Sequence, residues 1–162
     1  MTKIILTTHG EQVLVDDADY DYLSQFKWHL MKGYPARAKY LGGGHVGRVA
    51  HVMMHREILG CPQSHIDHAN RNRLDNRRAN LRLASSSENC RNKGMQKNNT
   101  SGYRGVTFHR GRWEAQIGMP GRKVKYLGSS QEASEAARMY DAAARIQFGE
   151  FAVLNFPEEG TR

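Results

Sequence analysis

Short runs in which apolar and polar residues alternate occupy the first third of the chain, the period of strands that turn one face to a core. They fall at Ile4 to Leu6, Gln12 to Val15, Lys27 to Leu30, Tyr34 to Tyr40 and Val49 to Met54, separated by Gly10, Gly33 and the Gly42-Gly43-Gly44 loop, and predict one small antiparallel sheet. An acidic insert, Asp16 to Phe26, interrupts them. There Asp16, Asp17 or Asp19 is expected to cap a short helix that turns Tyr20, Leu23 and Phe26 inward. Met54 to Leu59 reads as a second short helix, stopped by Gly60 and Pro62.

Between 64 and 92 the pattern is a strand ending near Ile66, a loop rich in Asn and Arg, a second short strand at Leu81 to Leu83, and a helix capped by one of Ser85 to Ser87. Residues 93–102 show no periodicity and read as a linker. Three further strands follow, Tyr103 to Phe108, Arg112 to Ile117 and Val124 to Leu127, turned at Gly111 and Pro120-Gly121. A long helix from about Gln131 to Phe148 closes the pattern, with Ser129 or Ser130 as its N-cap and Gly149 at its end. The fold class is α+β in two domains, 1–92 and 103–157, with 158–162 as a tail.

Composition narrows the function. Only 39% of the 162 residues are hydrophobic, so the core is limited and shared between small units, and no run is long enough to span a membrane. The amino terminus lacks a signal-peptide apolar region, so the protein is expected in the cytoplasm. Two cysteines, Cys61 and Cys90, form no Cys-x-x-Cys pair; they support neither a disulfide scaffold nor a structural zinc, and read as small buried or half-buried thiols. The net charge of +8 is uneven: about +1 over 1–61, +10 over 62–128 and −3 over 129–162. A cationic middle interleaved with aromatic residues suits a phosphate backbone, because each neutralised phosphate releases counterions.

The densest chemistry lies in His65-Ile66-Asp67-His68-Ala69-Asn70-Arg71-Asn72-Arg73-Leu74-Asp75-Asn76-Arg77-Arg78-Ala79-Asn80-Leu81-Arg82-Leu83, followed by Ser87-Glu88-Asn89. Asp67-His68, then Asn80 twelve positions after His68, then Asn89 nine further on, resembles the HNH endonuclease family and its ββα-metal hairpin. Within it the stretch from Asp67 to Asn76 is most similar to phage and intron-type members. The resemblance implies hydrolysis of DNA phosphodiesters, leaving 5′-phosphate and 3′-hydroxyl ends. Asp67 and Asn89 then supply hard oxygen ligands for Mg²⁺ or Mn²⁺, and His68 is free to take a proton from water at neutral pH. Adjacent strand residues face opposite ways, so the strand must end or distort at this pair.

Asn80 is expected to tie the loop to the backbone near His68 and so orient the imidazole, without touching the metal. Asn70, Asn72, Asp75 and Asn76 read as Asx residues that satisfy the tight loop. Arg71, Arg73, Arg77, Arg78, Arg82 and Arg91 are candidate phosphate contacts, although one or two can instead pair with Asp75 or Glu88. His55, in Met54-His55-Arg56, is read first as a helix-start or packing residue and second as a contact to the cleaved strand or a metal-bound water. His65 reads as a strand residue with solvent or phosphate neighbours.

Residues 102–157 carry Ser101-Gly102-Tyr103-Arg104-Gly105-Val106, Gly111-Arg112-Trp113-Glu114-Ala115-Gln116-Ile117, Tyr126-Leu127-Gly128, Glu135-Ala136-Ala137-Arg138-Met139-Tyr140-Asp141-Ala142-Ala143-Ala144 and Leu154-Asn155-Phe156-Pro157. The segment resembles the AP2 DNA-binding domain, a three-stranded antiparallel sheet packed on one helix. Alternation turns Trp113, Ala115 and Ile117 toward that helix and leaves Arg112, Glu114 and Gln116 on the outer face. The small residues Ala133, Ala136, Ala137, Ala143 and Ala144, with Tyr140, let the helix approach closely.

In that family the outer face enters the major groove. The resemblance therefore makes Arg104, Arg110, Arg112, Gln116 and Tyr126 DNA contacts, with Lys123 and Lys125 near the backbone. Thr107, His109 and Gly118 stand where plant members have arginines, which favours sequence-tolerant docking. The leading expectation is thus a metal-dependent endonuclease on double-stranded DNA, monomeric, without a small-molecule cofactor, and acting in a bacterial host if phage-encoded. A DNA-binding regulator with an inert hairpin is the alternative. An RNA-binding reading requires Tyr103, Phe108 and Trp113 to be open for stacking, and the alternation predicts them buried.

Overall fold

The amino-terminal strands form, but in two sheets where the pattern predicted one. In the computed structural model, which describes residues 1–42, 48–92, 94–96 and 98–159, strands β1 (Thr2–Leu6) and β2 (Gln12–Asp16) make an antiparallel pair with Ile4 opposite Leu14. A separate antiparallel sheet holds β3 (His29–Met31), β4 (Tyr34–Tyr40) and β5 (Val49–Met53) in that order. Helix α1 (Asp17–Leu23) lies between them, and the fully buried Trp28, whose indole donates to the Leu23 carbonyl at 2.8 Å, occupies the start of the predicted third strand. Gly43, Gly44 and His45, Lys93 and Lys97 of the linker, and residues 160–162 of the tail lie outside the described residues.

The chain divides into two compact units, 1–89 and 90–162. In the first, helix α2 (Met54–Ile58) leads into β6 (His65–His68), which pairs antiparallel with β7 (Leu81–Ala84) and is followed by α3 (Ser86–Arg91). Helix α3 starts with a capping box: the Glu88 carboxylate accepts the Ser85 N–H at 2.7 Å, and the Ser85 hydroxyl accepts the Glu88 N–H at 3.3 Å. One core joins the β1–β2 pair, α1, α2 and the hairpin through Ile5, Val13, Val15, Leu23, Trp28, Met54, Ile58, Ile66 and Leu81.

Asp16 stands at the N-cap of α1 without a side-chain cap bond, contrary to the expected capping role. Its carboxylate accepts the Arg78 N–H at 2.8 Å, and Asp19 pairs with the Arg78 guanidinium at 2.7 Å. The acidic insert thus anchors the Asn/Arg-rich loop from a distance of about sixty residues, a role invisible to local pattern.

The second unit is a sheet of β8 (Val106–His109), β9 (Arg112–Gly118) and β10 (Val124–Ser130), in the order β10-β9-β8, with helix α4 (Ala133–Phe148). Strand β8 begins three residues later than predicted. Before it, Gly105 has a positive φ of 71° and its carbonyl accepts the Gln116 N–H at 2.8 Å. The N-cap of α4 is Glu132, not Ser129 or Ser130; Ser130, two residues earlier, instead accepts the Glu132 N–H at 3.1 Å. Gly149 ends the helix as expected.

Ala136, Ala137, Tyr140 and Ala144 are buried against Val106, Ala115 and Ile117. Asp141 is buried too, because its carboxylate accepts the N–H groups of Asn155 and Phe156 and the Asn155 amide, and so pins the chain that follows the helix. Phe108 lies opposite Trp113 and stacks on it at 4.8 Å, yet is 57% exposed, although Val106 on the same strand is buried against α4. The aromatic set is therefore not wholly buried. Cys61 and Cys90 are both exposed, which corrects the expected burial. Among the described residues no helix is long and apolar enough to cross a membrane.

Candidate active site

Strand β6 ends at His68, so the two residues singled out at its end escape the strict alternation of a continuing strand. Beyond His68 the chain turns sharply: Arg71 donates its N–H to the His68 carbonyl at 2.8 Å and adopts a positive φ of 64°, while the Ala69 N–H reaches the Asn80 carbonyl at 2.9 Å. Asp67 and His68 are both buried, 5% and 4% exposed. Register places Arg82 directly opposite Asp67, and its Nε and Nη2 donate to the carboxylate at 2.9 and 2.8 Å. Arg82 is thus a partner of the carboxylate, where it was expected to be available to phosphate.

The residue types expected to hold a hard divalent ion are the carboxylate of Asp67 on β6 and the amide of Asn89, half-buried on α3; two such ligands would leave most of an octahedral shell to water and phosphate. Among the described residues no group of three His, Cys, Asp or Glu side chains can hold a metal ion.

His68 sits in an aromatic enclosure assembled from distant segments. His55 on α2 packs edge-to-face on its ring at 5.2 Å, and Tyr34 from β4 lies 5.8 Å from it and 5.2 Å from His55. The Arg73 guanidinium covers Tyr34 at 4.5 Å while its Nη1 donates to the Lys32 carbonyl at 2.9 Å. Helix α2 is held to β4 by Arg37, whose Nε donates to Glu57 at 2.7 Å and keeps that carboxyl below its usual range. Burial is the main cause that lowers the His68 pKa; Asn76, Asp67 and Asp75 act the other way. Tyr34 and the Arg37–Glu57 pair were missed from the sequence, since nothing in their local spacing marks them.

His55 is the more perturbed imidazole. Burial, then His68, then Arg56 bring its pKa from 6.5 down to about 4, and its Nδ1 is the buried side-chain nitrogen or oxygen, among the described residues, without a hydrogen-bond partner. Because the folded pKa is depressed, the unfolded chain takes up the proton more readily between pH 6.5 and about 4. Stability is therefore complete above 6.5 and falls as pH drops through that window, by about 2–3 kcal/mol after allowance for the solvent-screened part. His55→Phe is expected to flatten this acid limb and to gain about 1 kcal/mol at neutral pH by removing the orphaned nitrogen. Urea midpoints measured from pH 4 to 8 check both; an unchanged limb in the variant defeats the expectation.

The loop between β6 and β7 is locked by its Asx residues. Asp75, 1% exposed, accepts from the Asn70 amide at 2.8 Å and from Arg77 at 2.7 and 2.8 Å, and Arg77 is the first cause of its lowered pKa. Asn80 accepts the Asn70 N–H at 2.9 Å and donates to the Asp75 carbonyl at 2.7 Å, which ties the loop two residues beyond His68. The loop amide that meets the imidazole is that of Asn76, at 3.5 Å from Nε2. Of the candidate phosphate contacts, Arg77, Arg78 and Arg82 are thus engaged by Asp75, Asp19 and Asp67, while Arg71 and Arg73 are exposed. His65 is exposed and bonded to the Ser86 hydroxyl at 2.8 Å.

In the second unit Arg112, Gln116 and Tyr126 share the outer face, with Arg112 bonded to the Ser129 hydroxyl at 3.1 Å and Gln116 paired to Tyr126 in register. Lys125 pairs with Ile117 and so belongs by register to the opposite face; Lys123 precedes β10 and is exposed. Arg110 occupies the β8–β9 turn with a positive φ of 48°. Arg104 is half-buried and donates to the Arg91 carbonyl at 3.4 Å, and the Arg91 guanidinium stacks on Phe148 at 4.5 Å.

A two-stranded hairpin leading into a helix, with Asp-His at the end of its first strand, is the frame of a ββα-metal nuclease domain. Residues 48–91 match the HNH endonuclease family. An uncharacterized HNH endonuclease of Acanthamoeba polyphaga mimivirus is 31% identical over 138 residues, 82% of this chain and 68% of that protein. The chain belongs to the HNH endonuclease family. It also carries AP2-like sequence: it is 51% identical over 59 residues to APETALA2-like protein 2 of Oryza sativa subsp. indica, 35% of this chain. It is 42% identical over 78 residues to dehydration-responsive element-binding protein 2D of Arabidopsis thaliana, 46% of this chain. The chain spans only 14% and 38% of the length of those two plant proteins.

Proposed function

We propose that the protein is a metal-dependent endonuclease that hydrolyses phosphodiester bonds of double-stranded DNA, held on the duplex by its AP2-like unit. The observation that carries the reading is the burial of His68 at the end of β6, next to the Asp67 carboxylate and inside an enclosure that holds its ring. Asp67 and Asn89 would hold one Mg²⁺ or Mn²⁺, which when bound stabilises the charge on the phosphoryl group and the departing 3′ oxygen. His68 takes the proton of the attacking water. Its lowered pKa keeps the imidazole neutral, and hence a competent base, at physiological pH. Tyr34 and His55 wall the ring from bulk water and limit it to one orientation. The exposed Arg71 and Arg73, beside the hairpin loop, supply positive charge for the cleaved strand.

One observation favours a second reading, a DNA-binding protein without activity: the Asp67 carboxylate is already engaged by Arg82. Supercoiled plasmid incubated with the protein and Mg²⁺ or Mn²⁺, beside a chelated control, separates the two. Metal-dependent appearance of open-circular or linear DNA supports the nuclease. Retarded plasmid that stays supercoiled with either ion supports the second reading and sinks the first.

A further inference from the structure

Asn76 is fully buried, and an unusual amount of structure holds it there. Its N–H donates to the Leu14 carbonyl on β2 at 2.8 Å, Leu14 in turn donates to the Leu74 carbonyl at 2.8 Å, and a parallel bridge joins Leu14 to Asp75. The neighbouring Asp75 is fastened by Asn70, Arg77 and Asn80. The amino-terminal hairpin and the loop network therefore converge on a single amide.

That amide has only one consistent orientation. Its Nδ2 donates to the Arg73 carbonyl at 3.1 Å, which is a pure acceptor, so the amide oxygen is the group turned to Nε2 of His68 at 3.5 Å. An amide oxygen accepts and never donates. A neutral imidazole facing it keeps its proton on Nε2, and its unprotonated nitrogen is then Nδ1.

We propose that Asn76 is a positioning residue that fixes the tautomer of His68, with the proton on Nε2 and Nδ1 as the basic nitrogen. The catalytic part of this inference rests on the nuclease reading; the tautomer does not. In the reaction Nδ1 takes one proton from water as the oxygen's electron pair forms the bond to phosphorus. The bond from phosphorus to the 3′ oxygen breaks, and that oxygen is finally protonated from solvent. Throughout, the Nε2–H stays on the Asn76 oxygen, so no hydrogen bond has to be exchanged as the ring becomes charged. The 3.5 Å contact shortens as the charge develops, as catalytic hydrogen bonds loose in the free enzyme commonly do.

The test is the nitrogen spectrum of ¹⁵N-histidine-labelled protein, in which the two tautomers differ, joined to nicking kinetics. Wild-type His68 is expected as the Nε2–H form in the free protein. Asn76→Ala is expected to give a mixture and to lower the nicking rate at saturating DNA about 10- to 100-fold, the range found when a partner that orients a histidine is removed, with plasmid affinity within about threefold. Asn76→Asp, which still accepts the same hydrogen but turns an oxygen to the Arg73 carbonyl, is expected to keep the tautomer that Asn76→Ala loses, at a cost in stability. A wild-type His68 with its proton on Nδ1 overturns the inference without any variant. So does an Asn76→Ala protein that folds, keeps the wild-type tautomer and nicks at the wild-type rate. A wild type with the expected tautomer that cuts no DNA leaves Asn76 in place and brings down the nuclease reading instead.

Discussion

His68→Ala is expected to reduce plasmid nicking by about 10²- to 10⁴-fold, the usual contribution of a positioned general base, or roughly 3–5 kcal/mol of transition-state stabilisation. The loss should fall on the single-turnover rate and not on affinity, because a side chain only 4% exposed has little surface with which to bind DNA. Folding should survive: the neighbouring Ile66 and Leu81 anchor the hairpin in the core independently of the ring. Time courses of nicking in excess protein, with gel retardation of the same plasmid as control, decide the matter. A variant that cuts within a few-fold of wild type removes His68 from the chemistry; one that loses binding and cutting together assigns it to structure.

The largest effect on stability is expected at Gly105, and it concerns the second unit alone. Its φ of 71° is a region in which a side chain costs roughly 1–3 kcal/mol. A Cβ added there would lie 2.7 Å from the Gln116 carbonyl and 2.5 Å from Cε2 of Tyr140, the large side chain of α4 that seals the sheet. The carbonyl belongs to β9 and cannot retreat without disturbing the sheet, and Tyr140 can retreat only by leaving the core, which adds about 1–3 kcal/mol of overpacking. Gly105→Ala should therefore destabilise residues 90–162 by about 2–6 kcal/mol, much of what a small unit has. Calorimetry should show the transition of that unit shifted down or lost, and duplex DNA binding weakened with it. A full-length variant that melts and binds as wild type would show that the close approach is relieved at little cost.

Much of the architecture was legible because its causes are local. The pattern along the chain marked all ten strands within a few residues, and the Ser85–Glu88 capping box and Gly149 set helix ends that need only neighbouring groups. The failures share one cause. The first five strands divide into two sheets where α1 and the buried Trp28 interrupt the run of strands, and nothing in the period-two pattern marks that break. Asp16 and Asp19 look like caps until Arg78 is folded onto them, and Phe108 alternates correctly yet stays exposed while Val106, two residues before it on the same strand, is buried against α4.

The site divides in the same way. Asp67, His68, Asn80 and Asn89 were marked by residue type and spacing, because they all lie within some twenty positions of the hairpin and the helix that follows it. The sequence by itself thus determined the family, the two kinds of unit and the residues proposed to react. Tertiary structure alone decided which charges are already paired, that Tyr34 and His55 enclose the His68 ring, and that the loop amide at the imidazole is Asn76. Burial, long-range ion pairing and ring packing all depend on segments far apart in the chain, and residue type at one position does not say which surface will arrive to meet it.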